Sequence, residues 1–211
     1  MVTTFYLIRH GETEGGGIKR YKGHIDVPLS ENGIRQMRRL SVFISAEVQK
    51  CGSASLTAIY CSDLSRAIKS AEIIAEPFGL KPIIMPDLRE RSFGLWEGMS
   101  FDEIREKYPE EFKAWAGNPL KYSPIGGEST MEVKDRVINA LKKILKNTGH
   151  RIHNIAIVSH GGVNRIILCH VLGIPLENIF RIEQDYGALN IVEFYDEYPV
   201  IKLMNYTCNA G

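Results

Sequence analysis

Short apolar runs alternate with helical patterns along this chain, and that alternation constrains the fold more than any other feature. The runs cover residues 5–8, 56–61, 83–85 and 155–158, and each is too short for a helix. Most are followed by apolar residues at helical spacing, as in the stripe over residues 34–48. This order predicts a three-layer α/β/α sandwich with a mostly parallel central sheet. 

Length and composition favour one domain with no general affinity for polyanions. The 211 residues, 44% of them hydrophobic, suit a single domain over 1–211. We expect a helical and loop insertion at about residues 95–128, which would lie over the candidate site described below. Lys plus Arg number 26 against 25 Asp plus Glu, so we expect neither nucleic acid nor a membrane as a partner. No signal peptide pattern opens the chain, and no apolar run approaches the roughly 20 residues that span a bilayer. A cytoplasmic location follows as the expectation.

The cysteine and histidine spacing predicts neither a metal site nor a cofactor. Cys51, Cys61, Cys169 and Cys208 lack both the paired spacing of a zinc site and the density of a disulfide scaffold. The chain also lacks the His-Glu-x-x-His pattern of metallohydrolases and the Gly-x-Ser-x-Gly pattern of serine hydrolases. The sequence leaves open whether the protein is a monomer or a homodimer.

Local signals predict where several elements begin. Residues 62–63, Ser-Asp, can cap a helix that starts near residue 64. Ser-x-x-Glu spacing at 100–103 and 129–132 predicts two capping boxes, the first opening a helix that runs toward Trp115. The apolar runs 189–194 and 200–204 predict two last strands, in the arrangement of a hairpin.

Charged and polar side chains follow the predicted strands, at the point where each strand ends. They are Arg9, His10, Arg66, Glu90 and His160. Because the carboxyl ends of parallel strands meet at one edge of a sheet, we expect these side chains to lie together. Taken alone, the Arg9-His10 pair fits equally well an edge strand with two solvated side chains.

The residue types in this set fit the hydrolysis of a phosphate ester without a metal. Two guanidiniums and one histidine, with backbone N–H groups of a helix starting near Gly161, can cradle a phosphoryl group. A second histidine can attack phosphorus as a nitrogen nucleophile. A carboxylic acid can protonate the leaving alkoxide and then deprotonate water.

Together these segments resemble the histidine phosphatase superfamily, also called the phosphoglycerate-mutase-like family. The matching segments are residues 9–13, 23 with 26–30 and 33, 62–67, 88–90 with 93–94, and 159–162. The resemblance implies that His10 is phosphorylated, that Glu90 donates the proton, and that Arg9, Arg66 and His160 hold the phosphate. We expect Lys22, Gly23 and Gly161 to complete the substrate-binding residues, and a small phosphorylated metabolite to be the partner.

One position departs from the family pattern. Many members carry an asparagine six residues after the nucleophilic histidine, and this chain has Gly16 there. Either a backbone N–H or a basic residue between Lys19 and Lys22 takes that role, or the site is looser. Whether the loop over residues 14–23 closes as a lid stays open at this point.

Within the family, the chain most resembles α-ribazole phosphatases of cobalamin synthesis. Mutases carry a lysine soon after the position of Gly98 and an arginine pair after the position of Trp115, and both are missing here. A mutase substrate would therefore leave its carboxylate poorly paired. Trp96, Tyr108 and Trp115 can line the mouth of the site for an aromatic nucleotide, or serve only as packing residues. The alternatives are a phosphoglycerate mutase and a catalytically silent protein that binds a phosphorylated ligand.

Overall fold

We describe the protein from a computed structural model, for residues 2–15, 20–50, 55–148, 153–195 and 198–208. The strands are β1 (Val2–Arg9), β2 (Ala58–Cys61), β3 (Ile83–Ile84), β4 (His153–Ser159), β5 (Leu189–Tyr195) and β6 (Tyr198–Tyr206). The α-helices are α1 (Glu31–Lys50), α2 (Ser65–Ala75), α3 (Phe101–Lys107), α4 (Pro109–Gly117), α5 (Thr130–Thr148) and α6 (Gly161–Leu172). Short 3-10 helices cover Glu76–Phe78, Pro86–Leu88, Gly94–Trp96 and Leu176–Arg181.

The described strands form one sheet in the order β3-β2-β4-β1-β5-β6. The first four strands are parallel to one another, and β5 and β6 form the predicted antiparallel hairpin at one side. In the register, Arg9 is paired with Ser159 and Cys61 with Val158. The carboxyl ends of β1, β2 and β4 therefore lie at the same edge, and the predicted fold class is confirmed.

Both faces of the sheet are covered by helices, which explains why β1 is apolar at consecutive positions. Phe5 and Leu7 are buried against α5 and α6, whereas Tyr6 and Ile8 are buried against α1 and α2. The stripe predicted on α1 supplies four fully buried residues to the second face, and these are Met37, Leu40, Ile44 and Val48. The site is thus built on a strand that is held from both sides.

The capping prediction at Ser62 and Asp63 is wrong. No side chain at the position before α2 caps that helix, and the Asp63 carboxylate instead accepts hydrogen bonds from the Arg89 guanidinium at 2.6 and 2.5 Å. The backbone N–H of Ser65 donates to Oδ1 of Asp26, a residue far away in the chain, at 2.8 Å. A distant carboxylate therefore replaces the local cap, which local sequence cannot reveal.

Both predicted capping boxes are confirmed. Ser100 Oγ accepts from the N–H of Glu103, whose carboxylate accepts from the N–H of Ser100, and residues 129–132 repeat the pattern. The expected single helix after Ser100 is wrong, because Tyr108 leaves the helical region at φ −133° before Pro109. Two short helices, α3 and α4, result.

No helix within the described ranges is long and apolar enough to cross a membrane.

Two glycines allow the end of β1 to touch the start of α1. A Cβ atom on Gly33 would lie 2.0 Å from the carbonyl oxygen of Glu12, and one on Gly11 would lie 2.5 Å from the carbonyl oxygen of Gly33. The Glu12 carboxylate also accepts hydrogen bonds from Ser30 and Asn32 at 3.0 Å each. The backbone beside His10 is therefore fixed against α1.

Candidate active site

A cleft of about 500 Å³ opens at the carboxyl edge of the sheet. The five residues expected to act in catalysis all line it, and these are Arg9, His10, Arg66, Glu90 and His160. Lys22 and Gly23 also line the cleft, whereas at the start of α6 the lining residue is Gly162 rather than Gly161. The structure thus brings together side chains that are up to 151 positions apart in the sequence.

The His10 ring is held in one tautomer at the end of β1. Its Nδ1 lies 2.7 Å from the carbonyl oxygen of Gly11, and since a carbonyl only accepts, Nδ1 carries the hydrogen. Burial, together with the charges of Arg9 and Arg66, holds the pKa of His10 well below its usual value. The ring is therefore neutral at pH 7, and its lone pair is on Nε2.

One nitrogen of the Arg9 guanidinium is hydrogen-bonded to the main chain, and another has no hydrogen-bond partner. Its Nη1 donates to the carbonyl oxygen of Gln184 at 2.5 Å, and its central carbon Cζ lies 3.9 Å from the centre of the Tyr186 ring. Its Nε is buried and has no hydrogen-bond partner. Burial lowers the pKa of Arg9, but an arginine stays charged at neutral pH.

Arg66 and Lys22 bring two more cations to the same place. Arg66 is only 1% exposed and donates to the carbonyl oxygens of Gly23 and Ile25 at 2.8 Å each. Gly23 adopts a φ of +49°, and a Cβ there would lie 2.2 Å from the Glu97 carboxylate. Gly23 thus orients Arg66 through its backbone, while Lys22 Nζ donates to Thr13 Oγ1 and to the carbonyl oxygen of Glu14.

His160 is completely buried at the end of β4. Its Nε2 lies 2.7 Å from the Ser62 hydroxyl, and its Nδ1 is buried without a partner. The ring centre is 5.1 Å from that of His10. Burial, followed by the neighbouring His10 and Arg66, holds the pKa of His160 well below its usual value. A neutral His160 that accepts from Ser62 presents an N–H at Nδ1.

The Glu90 carboxylate lies at the start of α6. Its Oε2 accepts from the N–H of Gly162 at 3.1 Å, and its Oε1 accepts from the N–H of Arg91 at 2.9 Å. The sequence predicted that N–H groups at this helix start would bind phosphate, but the one at Gly162 binds Glu90. A Cβ on Gly162 would lie 2.5 Å from Glu90 Oε1, so only glycine allows this approach.

Arg136 holds the main chain around Glu90, a role that no sequence pattern indicated. Its guanidinium donates to the backbone carbonyl oxygens of Asp87, Arg89 and Glu90 at 3.0, 2.8 and 3.0 Å. It is also paired with both oxygens of Glu128 at 2.7 and 2.8 Å. A charged residue on an amphipathic helix gives no local sign of such a role. The roles of Ser62 and Tyr186 were missed too, although Ser62 is the first residue of the recognised segment 62–67.

The aromatic residues considered for the mouth divide between the two alternatives, lining and packing. Of Trp96, Tyr108 and Trp115, only Trp115 is among the residues that line the cleft. Trp96 is 1% exposed and packs edge-on against Trp115 with ring centres 5.7 Å apart, so it is a packing residue. The remaining aromatic residues of the lining include Tyr21, Phe93 and Phe101.

Part of the loop over residues 14–23 lies outside the described residues. Gly16, where an asparagine was expected, and Lys19 lie outside the described residues, as does Cys51. Cys61, Cys169 and Cys208 carry free thiols. Among the described residues, no three His, Cys, Asp or Glu side chains cluster closely enough to bind a metal ion.

Known proteins are similar to this chain over nearly its whole length. The family model of the histidine phosphatase superfamily (branch 1) matches residues 5–207. Phosphoserine phosphatase 1 of Hydrogenobacter thermophilus is 34% identical over 205 residues, with 97% of this chain and 93% of the relative covered. The adenosylcobalamin/alpha-ribazole phosphatase of Escherichia coli is 26% identical over 200 residues, covering 95% and 94%.

The structural comparison agrees with the sequence comparison. A crystal structure of a putative alpha-ribazole-5'-P phosphatase from Escherichia coli has a TM-score of 0.86 and 27% identity, covering 97% of this chain and 96% of that one. The Bacillus stearothermophilus protein YhfR has a TM-score of 0.81 and 31% identity, covering 95% and 96%. The resemblance seen in the sequence is confirmed: this chain belongs to the histidine phosphatase superfamily, branch 1, and is a phosphatase.

Proposed function

We propose that this phosphatase hydrolyses phosphate monoesters through a phosphohistidine at His10, without a metal ion. One observation carries the proposal: two buried nitrogens beside His10, Nε of Arg9 and Nδ1 of His160, have no hydrogen-bond partner in the described structure. Unpaired buried donors are costly, and a phosphoryl group supplies charged oxygens that accept from both. Arg66 adds a second guanidinium at the same place.

The first chemical step transfers the phosphoryl group to the protein. The lone pair on Nε2 of His10 attacks phosphorus while the bond from phosphorus to the alcohol oxygen breaks. Glu90, as a carboxylic acid, gives its proton to that leaving oxygen. Nδ1 of His10 keeps its hydrogen bond to Gly11 throughout, so the ring orientation does not change.

The second step returns the protein to its starting state. Glu90, now a carboxylate, takes a proton from a water molecule, whose oxygen attacks phosphorus. The bond between phosphorus and Nε2 of His10 breaks, and the lone pair returns to nitrogen. The products are the free alcohol and inorganic phosphate, and all protons are accounted for.

The substrate in this proposal is a small phosphorylated metabolite. α-Ribazole 5'-phosphate, expected from the sequence, and O-phosphoserine are the candidates that the names of the relatives supply. The aromatic mouth supports an organic leaving group of some size. No observation favours a mutase, because Met99 and Ala116 stand where the mutase pattern has cations.

The experiment compares p-nitrophenyl phosphate hydrolysis by the wild type and by His10→Ala, with and without a chelator. We expect chelator-resistant hydrolysis by the wild type and none above background by His10→Ala. His170→Ala, which removes an exposed histidine at the end of α6, is the matched control and should keep its activity. A wild type that binds vanadate but does not hydrolyse would support the silent binding protein, and strong inhibition by chelator would support a metallohydrolase.

A further inference from the structure

Arg9 and His10 share one neighbouring segment, residues 184–188, which we call the wall segment. The Arg9 guanidinium donates to the carbonyl oxygen of Gln184 at 2.5 Å, and its central carbon lies 3.9 Å from the centre of the Tyr186 ring. The centre of that ring is also 5.6 Å from the centre of the His10 ring. Backbone hydrogen bonds of 2.9 and 3.1 Å join the segment to the main chain of both residues. The place of Arg9 in the cleft therefore depends on the wall segment.

The wall segment has no regular secondary structure of its own, because it lies between the 3-10 helix Leu176–Arg181 and β5. A pair of buried amide side chains supports it instead. Gln184 is 1% exposed, and Asn190 is completely buried. Gln184 Nε2 donates to Asn190 Oδ1, and Asn190 Nδ2 donates to Gln184 Oε1, at 2.9 Å each. The two amides thus form a closed ring of two hydrogen bonds, which we call the amide pair.

Backbone groups fix the orientation of both amides. Asn190 Oδ1 accepts from the N–H of Asn205 at 2.9 Å, and Asn190 Nδ2 donates to the carbonyl oxygen of Leu7 at 3.2 Å. Gln184 Nε2 donates to the carbonyl oxygen of Glu183 at 2.7 Å. A backbone N–H only donates and a carbonyl only accepts, so neither amide can be turned over without losing hydrogen bonds. All four N–H groups of the amide pair are used, and the pair has one arrangement.

The amide pair also connects the wall segment to the strand that carries Arg9. Leu7, whose carbonyl oxygen accepts from Asn190, lies on β1 two residues before Arg9 and opposite Asn190 in the register. On the other side, Asn205 has a φ of +49°, in the left-handed region that asparagine tolerates. Asn205 exchanges two hydrogen bonds of 2.8 Å with Asp185 in the wall segment. One framework therefore holds both the backbone of Arg9 and the acceptor of its side chain.

The position of the Arg9 guanidinium decides whether its unpaired Nε can donate to a phosphate. A long side chain that is already fixed loses little conformational freedom when the phosphate binds. The carbonyl oxygen of Gln184 and the ring of Tyr186 supply that restraint. Neither Gln184 nor Asn190 is among the described residues that line the cleft, so both act through Arg9 and not on the substrate.

We propose that Gln184 and Asn190 are positioning residues for phosphate binding. Their amide pair holds the wall segment, and the wall segment holds Arg9 with its Nε available to the phosphate. This inference rests on the proposed function, because it takes Arg9 as a residue that binds the phosphate. Hydrogen bonds have direction, so a fully paired buried network specifies one arrangement of the segment, which apolar side chains of similar size do not.

The test is a double-mutant cycle between Gln184 and Arg9, measured as kcat/KM for p-nitrophenyl phosphate. Gln184→Met keeps a side chain of similar length but loses the amide pair, and it should lower kcat/KM by roughly tenfold to a hundredfold, mainly through KM. In the Arg9→Ala background, the same substitution should change kcat/KM by less than about twofold, because the residue it positions is gone. An equal loss in both backgrounds would show that Gln184 supports only the fold, and would overturn the proposal.

Asn190→Leu tests the other half of the amide pair, and Asn154→Leu is its matched control. Asn154 is 2% exposed and lies at the opposite end of β4 from the cleft, where its side chain donates to the carbonyl oxygen of Ser55. Both substitutions should lower the stability to urea, but only Asn190→Leu should raise KM. Equal KM values in the two variants would contradict the positioning role. If Asn190→Leu does not fold, Gln184→Met carries the test, because it leaves the backbone contacts of Asn190 in place.

Failure of this inference differs from failure of the proposed function. Hydrolysis by the wild type that is lost in His10→Ala, together with additive effects of Gln184→Met and Arg9→Ala, removes the amide pair and keeps the phosphohistidine proposal. Unchanged kcat/KM in Arg9→Ala would remove Arg9 from the cradle and the inference with it. Absence of hydrolysis by the wild type would remove the proposed function. The same cycle measured as vanadate affinity, which needs no turnover, then decides the inference.

Discussion

The floor and the mouth of the cleft are built in different ways. The floor, formed by Arg9, His10, Arg66 and His160, comes from strand ends and the first turn of a helix. Backbone carbonyl oxygens fix three of its side chains, at Gly11 for His10, at Gln184 for Arg9, and at Gly23 and Ile25 for Arg66. The floor geometry is therefore a property of the main chain.

The mouth is held by side chains instead. Tyr21, Phe93, Phe101 and Trp115 come from loops and from the short helices α3 and α4, and Tyr21 and Phe93 pack with ring centres 4.6 Å apart. We expect a substitution there to change the shape of the mouth without moving the strand ends. From this difference we expect the floor to set the reaction and the mouth to set the choice of leaving group.

The largest expected effect is that of Glu90→Gln, at the boundary between floor and mouth. Turnover should fall by about 10² to 10⁴-fold because the amide cannot donate the proton to the leaving oxygen. Vanadate affinity should stay close to that of the wild type, since the cradle is intact. Glu103→Gln, which removes an exposed carboxylate at Arg20, is the control. An equal loss of vanadate affinity would show that Glu90 is part of the cradle.

Arg66→Ala tests the floor itself. Removing a buried cation from the cradle should weaken vanadate binding by on the order of 10² to 10³-fold, as for other buried charge pairs. Arg66→Lys keeps the charge but loses the planar guanidinium with its paired N–H donors. If this variant folds and still binds vanadate weakly, the defect is in binding and not in folding. The control is Arg89→Ala, whose guanidinium is paired with Asp63 rather than with substrate. Unchanged vanadate affinity in Arg66→Ala would exclude that residue from the cradle.

Gly33→Ala tests whether the close contact of β1 with α1 supports the floor. The added Cβ would lie 2.0 Å from the carbonyl oxygen of Glu12, so the free energy of unfolding should fall by about 2–4 kcal/mol. Gly117→Ala is the control, since a Cβ there has nothing within 4 Å. Urea unfolding measures both. Similar stabilities of the two variants would mean that the backbone of the floor is not tightly constrained.

The smallest expected effect is a pH dependence of stability that comes from the floor histidines. Because burial lowers the pKa of His10 and His160 in the folded state, the unfolded chain binds more protons in that range. The free energy of unfolding should therefore decrease as pH falls from about 6.5 toward the lowered values, by at most about 1.4 kcal/mol per pH unit for each histidine. His160→Asn should show a shallower slope. Identical slopes would place a charged His160 in the folded protein.

The floor could be predicted from sequence and the mouth could not, for a physical reason. Strand ends of a parallel sheet meet at one edge, so the polar residues that follow each apolar run must come together. The direction of an aromatic side chain depends on packing, which placed Trp96 inside and Trp115 at the cleft. Arg136 acts through partners tens of residues away, and no local pattern marks it.

The proposed reaction requires a covalent phosphohistidine at His10, and trapping that intermediate tests the proposal most directly. The protein is mixed with p-nitrophenyl phosphate, quenched within one turnover in alkali, digested, and analysed by tandem mass spectrometry. We predict one phosphoryl group on the peptide that contains His10, stable in alkali, lost in acid, and absent from His10→Ala. Rapid hydrolysis with no phosphoryl group on His10 at any quench time would contradict the account.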